Sequence, residues 1–146
     1  MKASGLCDQR RKVFGPGGAE LSERWREGAH AHLGITVPGF PNLFLLYGPN
    51  TNTGSGSIVH ILESQIAYVR QAVAHIGAGG GPVAVRADVA ERFDDEMQRR
   101  LARSVWTRCT SWYRTASGRI VNNWPGSMRE YRRRTARFDP ADHRAP

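Results

Sequence analysis

The stretch Phe40-Pro41-Asn42-Leu43-Phe44-Leu45-Leu46-Tyr47-Gly48-Pro49, followed by the loop Asn50-Thr51-Asn52-Thr53-Gly54-Ser55-Gly56-Ser57 and the run from Ile58 to Ile76, concentrates the structural information of this chain. Leu43 to Tyr47 is too short for a helix and shows no polar alternation, which predicts a central strand of a parallel sheet, covered on both faces. Gly48-Pro49 ends it, and Asn50 to Ser57 offers turn chemistry without a side chain large enough to build a core. From Ile58 the apolar residues fall at Ile58, Leu62, Ile66, Val69, Val73 and Ile76, the spacing of one helical face, and Gly77 supplies a stop. Strand, glycine loop and helix N-terminus thus follow in succession. Such a junction turns unpaired N–H groups and the positive end of a helix dipole toward whatever lies above the strand's carboxyl end, and it suits a phosphate or an electron-rich carbonyl.

The chain has 146 residues, 40% of them hydrophobic, enough for one folded domain with a core. No apolar run reaches the length of a membrane span and Met1 to Gly18 lacks the core of a signal peptide, so a cytoplasmic protein without a membrane partner is expected. Cys7 and Cys109 lie far apart, match no metal or redox spacing, and read as free thiols. The net charge of +8 is unevenly placed: residues 1–98 hold nine Lys/Arg against ten Asp/Glu, and 99–146 hold twelve against three. A basic stripe interleaved with Trp106, Trp112, Tyr113, Trp124 and Tyr131 would suit a nucleic-acid backbone with bases stacked on the rings. The irregular spacing of those aromatics instead favours a solvated charged face together with buried aromatic rings, with Arg132-Arg133-Arg134 opening a short polar tail. A small basic module binding nucleic acid stands as the alternative.

Elsewhere, Lys12-Val13-Phe14 and the Gly15-Pro16-Gly17-Gly18 turn predict a hairpin or entry loop, and Leu21 with Trp25 a short helix that Ser22 would cap. His30 and His32 flank Ala31 and would share one face of a strand, as metal ligands do; no third ligand stands near, so a surface pair is expected and no metal site. His60 and Glu63 are three apart on the long helix, where a surface pair is favoured over an acid/base pair for want of an orienting third group. Gly54-Ser55-Gly56 and Gly77-Ala78-Gly79 fail the dinucleotide fingerprint because Val59 and Pro82 occupy the place of the third glycine. Val83 to Arg86 reads as a short strand, and Asp88 to Glu91 as a capping box that opens a second helix. That helix carries Val89, Phe93, Met97 and Leu101 inward and Asp95–Arg99 and Glu96–Arg100 pairs outward. Beyond it, an aromatic, turn-rich segment through Ser117-Gly118 reads as a wrap over a neighbouring surface, and Pro140 to Pro146 as frayed.

Several landmarks then stand in a familiar order. They are Phe40-Pro41-Asn42-Leu43-Phe44 into Gly48-Pro49-Asn50, a helix with Glu63-Ser64-Gln65 and Tyr68-Val69, Cys109 with Ser111-Trp112-Tyr113, and Asn123-Trp124-Pro125-Gly126. From about Val13 to Asp142 the chain resembles the carboxyl-terminal part of the flavin-containing Baeyer–Villiger monooxygenases, the group that includes cyclohexanone and 4-hydroxyacetophenone monooxygenases. The resemblance implies an α/β fold, here an incomplete C-terminal part of a flavoprotein with two dinucleotide-binding domains, holding a few strands and two main helices. Residues 1–39 would be an entry hairpin or loop, 40–77 the last strand and helix of the FAD-binding domain, and 78–146 a substrate-side segment with a basic tail.

The family's chemistry would be an FAD- and NADPH-dependent activation of O2 that inserts oxygen beside a ketone or oxidises a heteroatom. The helix N-terminus would face the pyrimidine edge of the flavin, and Gly48, Asn50, Thr51, Thr53, Ser57 and Ile58 are the cofactor-binding candidates. The family's two glycine fingerprints, its histidine and Trp-Pro signature and its active-site arginine segment have no counterpart here, and Arg70 and Arg86 match no catalytic motif. The expectation is a truncated gene product with Met1 as an internal start, inactive alone, whose catalytic residues are unknown.

Overall fold

A computed structural model of the chain describes residues 12–54, 56–107 and 114–144. Among the described residues the helices are α1 (Leu21–Arg24), α2 (Ile58–His75), α3 (Ala87–Ala102) and α4 (Met128–Arg134), and a two-stranded sheet pairs β1 (Ala84–Val85) antiparallel with β2 (His143–Arg144). Tight 3-10 turns lie at Pro16–Gly18, Val105–Thr107 and Pro140–Asp142, and α2 runs out through a wide turn at Ile76–Gly80. One core draws on all parts of the chain: Leu33 and Ile35, Ile61, Tyr68 and Ala72 of α2, Val83, Phe93 and Met97 of α3, Trp124, Tyr131 and Phe138. A smaller cluster joins Leu21 and Trp25 to Val37, Phe40 and Leu45.

The long helices start close to where their periodicity places them. Ser57 caps α2, its hydroxyl accepting from the Val59 N–H at 3.2 Å. Val89, Phe93, Met97 and Leu101 are all buried along one stripe of α3, each contributing about 1.5–3 kcal/mol. The cap of α3 is Arg86 rather than a capping box, because Asp88 is held by the Arg86 and Arg92 guanidinium groups. At α1 the cap is Glu20, and Ser22 donates to the Glu20 carboxylate instead of the backbone. The reversal at residues 12–20 forms as expected, with Phe14 bridged to Glu20.

Three expectations are corrected. Leu43 to Tyr47 is no strand: only Phe44 pairs, in a single antiparallel bridge to Thr36, and Leu46 is exposed. The run is bracketed by Asn42 and Tyr47, both left-handed (φ 57° and 55°), which stops a pleated ladder from extending. The buried face of α2 is Ile61, Gln65, Tyr68 and Ala72, one step round from the stripe picked out by periodicity, and Ile58, Val59, Ile66 and Val73 face outward. The carboxyl-terminal stretch is ordered through residue 144. Phe138 stacks 5.6 Å from Tyr68 and 4.6 Å from His143, β2 closes the sheet, and Arg132 to Arg134 belong to α4 rather than to a tail.

α3 and α4 are clamped by four charges. Arg100 makes two parallel bonds to Glu130 (2.6 and 2.8 Å), Arg134 reaches both Glu96 oxygens and Glu130, and both guanidinium groups lie over the Trp124 ring at 5.7 and 5.8 Å. Arg100 holds the Glu130 carboxyl down to about 2, and Arg134 holds Glu96 below its ordinary value. A carboxylate depressed on folding contributes stability above its unfolded pKa, about 4.5, and loses it as pH falls through the folded value. The urea midpoint is therefore expected to drop between about pH 5 and about pH 2, and Glu130→Gln to lower the midpoint at neutral pH and flatten that slope. Equilibrium unfolding at several pH values checks this, and an unchanged slope in the variant contradicts it.

Candidate functional site

Two loops cross where the 48–57 segment begins, and they touch through glycine. A Cβ on Gly48 would stand 2.3 Å from the Gly34 carbonyl oxygen, and one on Gly34 (φ 67°) would stand 2.2 Å from Thr51 Cγ2 and 2.7 Å from the Pro49 carbonyl oxygen. Thr51 is fully buried and its hydroxyl donates to the Gly48 carbonyl at 2.7 Å. Asn50, left-handed at φ 56°, donates its backbone N–H to Val121 O (2.9 Å) and its amide to Ile120 O (2.9 Å) and Asn123 O (3.0 Å). Gly48, Asn50 and Thr51 therefore shape the loop from within, their polar atoms turned onto the chain itself. Thr53 is half-buried, and Ser57 and Ile58 stand exposed at its open end, where the first turn of α2 begins.

In that turn the Val59 N–H is taken by the Ser57 hydroxyl and the His60 N–H by the Ser57 carbonyl (3.1 Å), so it is the Ile58 N–H that stands ahead of them at the positive end of the dipole of an 18-residue helix. From Gly48 to Ile58 there is no acidic, basic or imidazole side chain. The stretch can bind and polarise a carbonyl or an anionic edge, but it holds no group able to take or give a proton near neutral pH. Nor does it carry a cation to set against a diphosphate.

The other candidates do not assemble. His32 is buried rather than on the surface: its ring meets the edge of Phe93 at 5.2 Å, and burial, with His143 and Arg134 nearby, lowers its pKa to about 4. His30 instead turns Nδ1 to the Gly28 carbonyl at 3.1 Å, so the two imidazoles share no face, and no group of three potential metal ligands occurs among the described residues. His60 and Glu63 meet at 3.4 Å on the exposed face of α2, a surface pair as expected. Arg86 is tied to Asp88 and the Ala141 carbonyl. Trp124 and Tyr131 are inside the core, and Arg100, Arg119 and Arg134 pair with Glu96, Glu130 and Asp94. Cys7, Cys109, Ser111, Trp112 and Tyr113 lie outside the described residues, as does Ser55. Sequence reasoning gave no role to Gln65, Asn52 and Asn123, whose side chains find partners far along the chain. Among the described residues, no helix is long and apolar enough to cross a membrane.

No family model matches the chain. Curated relatives do: a Baeyer–Villiger monooxygenase of Pseudomonas aeruginosa is 44% identical over 131 residues, 87% of this chain and 25% of that protein. One from Streptomyces coelicolor is 38% identical over 136 residues, 90% of this chain and 26% of that protein. Over most of its length the chain is similar to Baeyer–Villiger monooxygenases. It spans about a quarter of the length of the curated relatives it matches. Among solved structures, a steroid monooxygenase bound to NADP superposes with a TM-score of 0.72 at 28% identity, covering 86% of this chain and 24% of that one. Cyclohexanone monooxygenase from Rhodococcus sp. Phi1, bound to NADP+, superposes at 0.77 over 88% of this chain and 25% of that one; at 21% identity it shares the fold. These neighbours are larger α/β proteins with two dinucleotide-binding domains, and the chain shares the fold of about a quarter of them, consistent with an incomplete part of such an architecture.

The glycine crossing gives a direct test. Gly34→Ala is expected to destabilise the chain by about 1–3 kcal/mol for overpacking, beyond the backbone strain at a left-handed position. Gly17→Ala, also left-handed (φ 71°) but with nothing within 4 Å, carries the backbone term alone. Urea unfolding of both variants isolates the close approach, and equal losses would remove it.

Proposed function

We propose that this chain supplies the wall of an FAD- and NADPH-dependent Baeyer–Villiger monooxygenase that faces the flavin and the substrate, and that it is catalytically silent alone. The 44% identity to the Pseudomonas aeruginosa enzyme carries this reading. FAD and NADPH would supply the redox chemistry that puts one oxygen beside a ketone or on a heteroatom. The chain's own part is binding, orientation and exclusion of water. Thr53, Ser57 and Ile58, on the open side of the loop, would line the cofactor, with the α2 amides near Ser57 and Ile58 toward the electron-rich edge of the flavin, while Gly48, Asn50 and Thr51 hold the loop in shape.

A second observation supports an incomplete site. Ile58, Val59, Ile66 and Val73 form an outward apolar stripe on α2, with Val59 56% exposed and Ile66 and Val73 53% each. A helix apolar on two sides is suited to cover on two sides. In the division read from the sequence, 40–77 would lie on the FAD-domain side and 78–146 on the substrate side, in a cytoplasmic enzyme. Purified chain mixed with FAD, NADPH and a panel of ketones and sulfides is expected to show no substrate-dependent NADPH loss or oxygenated product above the free-flavin background. A chimera with this chain in place of the matching quarter of the Pseudomonas aeruginosa relative is expected to be yellow and active. Turnover by the chain alone overturns the silence, and a folded but colourless chimera overturns the flavin-facing assignment.

A further inference from the structure

Asn52 is held through both its backbone and its side chain at the start of the link that leads to α2. Its N–H donates to Asn122 O (3.0 Å), its carbonyl accepts from the Trp124 N–H (2.7 Å), and the two strands form a parallel bridge at Asn123. Its side-chain Oδ1 accepts from the Tyr47 hydroxyl at 2.8 Å, and its Nδ2 donates to Asn123 Oδ1 at 3.2 Å. Burial raises the pKa of the Tyr47 hydroxyl, which stays a donor. Between Asn52 and the helix cap at Ser57 stand Thr53, Gly54, Ser55 and Gly56, with no side chain larger than threonine. Gly54 lies close against the Trp106 ring and Gly56 against the Met128 side chain, so the link is seated by these contacts together with its two ends, of which Asn52 is the first.

Asn123 is the unusual member. It is 1% exposed, its carbonyl also receives the Asn50 amide, and its own Nδ2 has no partner. A buried donor left unpaired costs more than an apolar side chain of the same shape would, so packing alone gives no reason for an amide here. Its Oδ1 does, because it completes the hold on Asn52.

The geometry points to Tyr47, Asn52 and Asn123 as a positioning set that fixes the start of the 53–57 link and thereby the placement of the first turn of α2 toward the flavin. The inference rests on the flavin-facing assignment above. These are positioning residues, since none is required to touch the cofactor. Asn52 and Asn123 are 71 positions apart, so the set also ties the cofactor loop to the 120–124 segment.

Two measurements test it separately from that assignment. In the full 146-residue chain, Tyr47→Phe and Asn52→Ala are expected to speed amide hydrogen exchange at Thr53 to Val59 about tenfold, the loss of roughly one net hydrogen bond, with exchange in α3 unchanged. Gln71→Ala, at the far end of α2, serves as control. Unchanged loop exchange, or α3 rising in step with the loop, overturns the positioning role. In the chimera, Asn52→Ala and Asn123→Ala are expected to shift the flavin absorption bands and reduction potential, with the double variant shifting no further than the larger single one, whereas Gln71→Ala leaves both in place. A flavin-bearing chimera whose spectrum and potential ignore both substitutions overturns the inference. A colourless chimera overturns the parent assignment, and the exchange result still decides whether the three residues hold the loop.

Discussion

Gln65 lies mid-way along α2 with no exposed surface, and both ends of its amide are engaged. Its Oε1 accepts the Tyr47 N–H at 2.7 Å, its Nε2 donates to the Tyr131 hydroxyl at 2.9 Å, and that hydroxyl donates onward to the Leu33 carbonyl at 2.7 Å. Four segments distant in sequence meet in this one chain of bonds: the 43–48 run, α2, α4 and the loop at Leu33. Its direction is determined throughout, because a backbone N–H can only donate and a carbonyl only accept. Each bond contributes about 1 kcal/mol net, but breaking one inside the core leaves an unpaired group that costs about 1–3 kcal/mol. The network therefore acts chiefly by making alternatives expensive. A shifted register of α2 against α4 would strand Tyr47, Gln65 and Tyr131 together.

The same constraint explains why the apolar run at Leu43 is not a strand. Tyr47 must present its N–H to Gln65 from a left-handed backbone, and Leu33, Asn42 and Asn50 also have positive φ. Asparagine tolerates that region, whereas leucine and tyrosine hold it only where the surroundings overdetermine it. Here the surroundings are the Gln65 bond at Tyr47 and the Tyr131 bond at the Leu33 carbonyl. The run then distributes its side chains instead of alternating them: Leu43 and Leu45 join the cluster around Trp25, Phe44 packs on the main core, and Leu46 faces outward.

What the sequence makes legible divides along the range of the interactions. α2 and α3, the reversal at Pro16–Gly18 and the turn at Ser117-Gly118 depend on neighbours a few positions away, and they fold as read. The candidate loop and its capped helix are likewise where the turn residues place them. Which face of α2 is buried, whether Gln65 and Asn123 are inside, and where His32 goes are decided by residues tens of positions distant, which no local pattern encodes. His32 shows the limit clearly: alternation with His30 suggests a surface pair, yet the ring is needed against Phe93 and stays neutral there. The charge asymmetry misleads in a similar way. Three of the twelve arginines in 99–146, Arg100, Arg119 and Arg134, pair with Glu96, Glu130 and Asp94, and two of the three lie over Trp124, so part of that charge serves packing rather than a partner.

The two apolar sides of α2 bring these observations together. Ile61, Tyr68 and Ala72 meet the core, with Gln65 among them as the polar tie, while Ile58, Val59, Ile66 and Val73 face away. One side carries Gln65, whose amide is engaged at both ends; the other is aliphatic and needs only cover. That asymmetry separates two functions on one helix. The Gln65 side specifies where α2 stands relative to α4 and the loops, and the aliphatic side can accept a neighbouring body by burial without imposing a register of its own. Because the cap at Ser57 sits at the end of the same rod, the direction of its first-turn N–H groups is set by the buried side before any neighbour arrives. An acceptor brought against the outer stripe would then meet donors already aimed, which is the condition under which a helix terminus stabilises charge without reorganising.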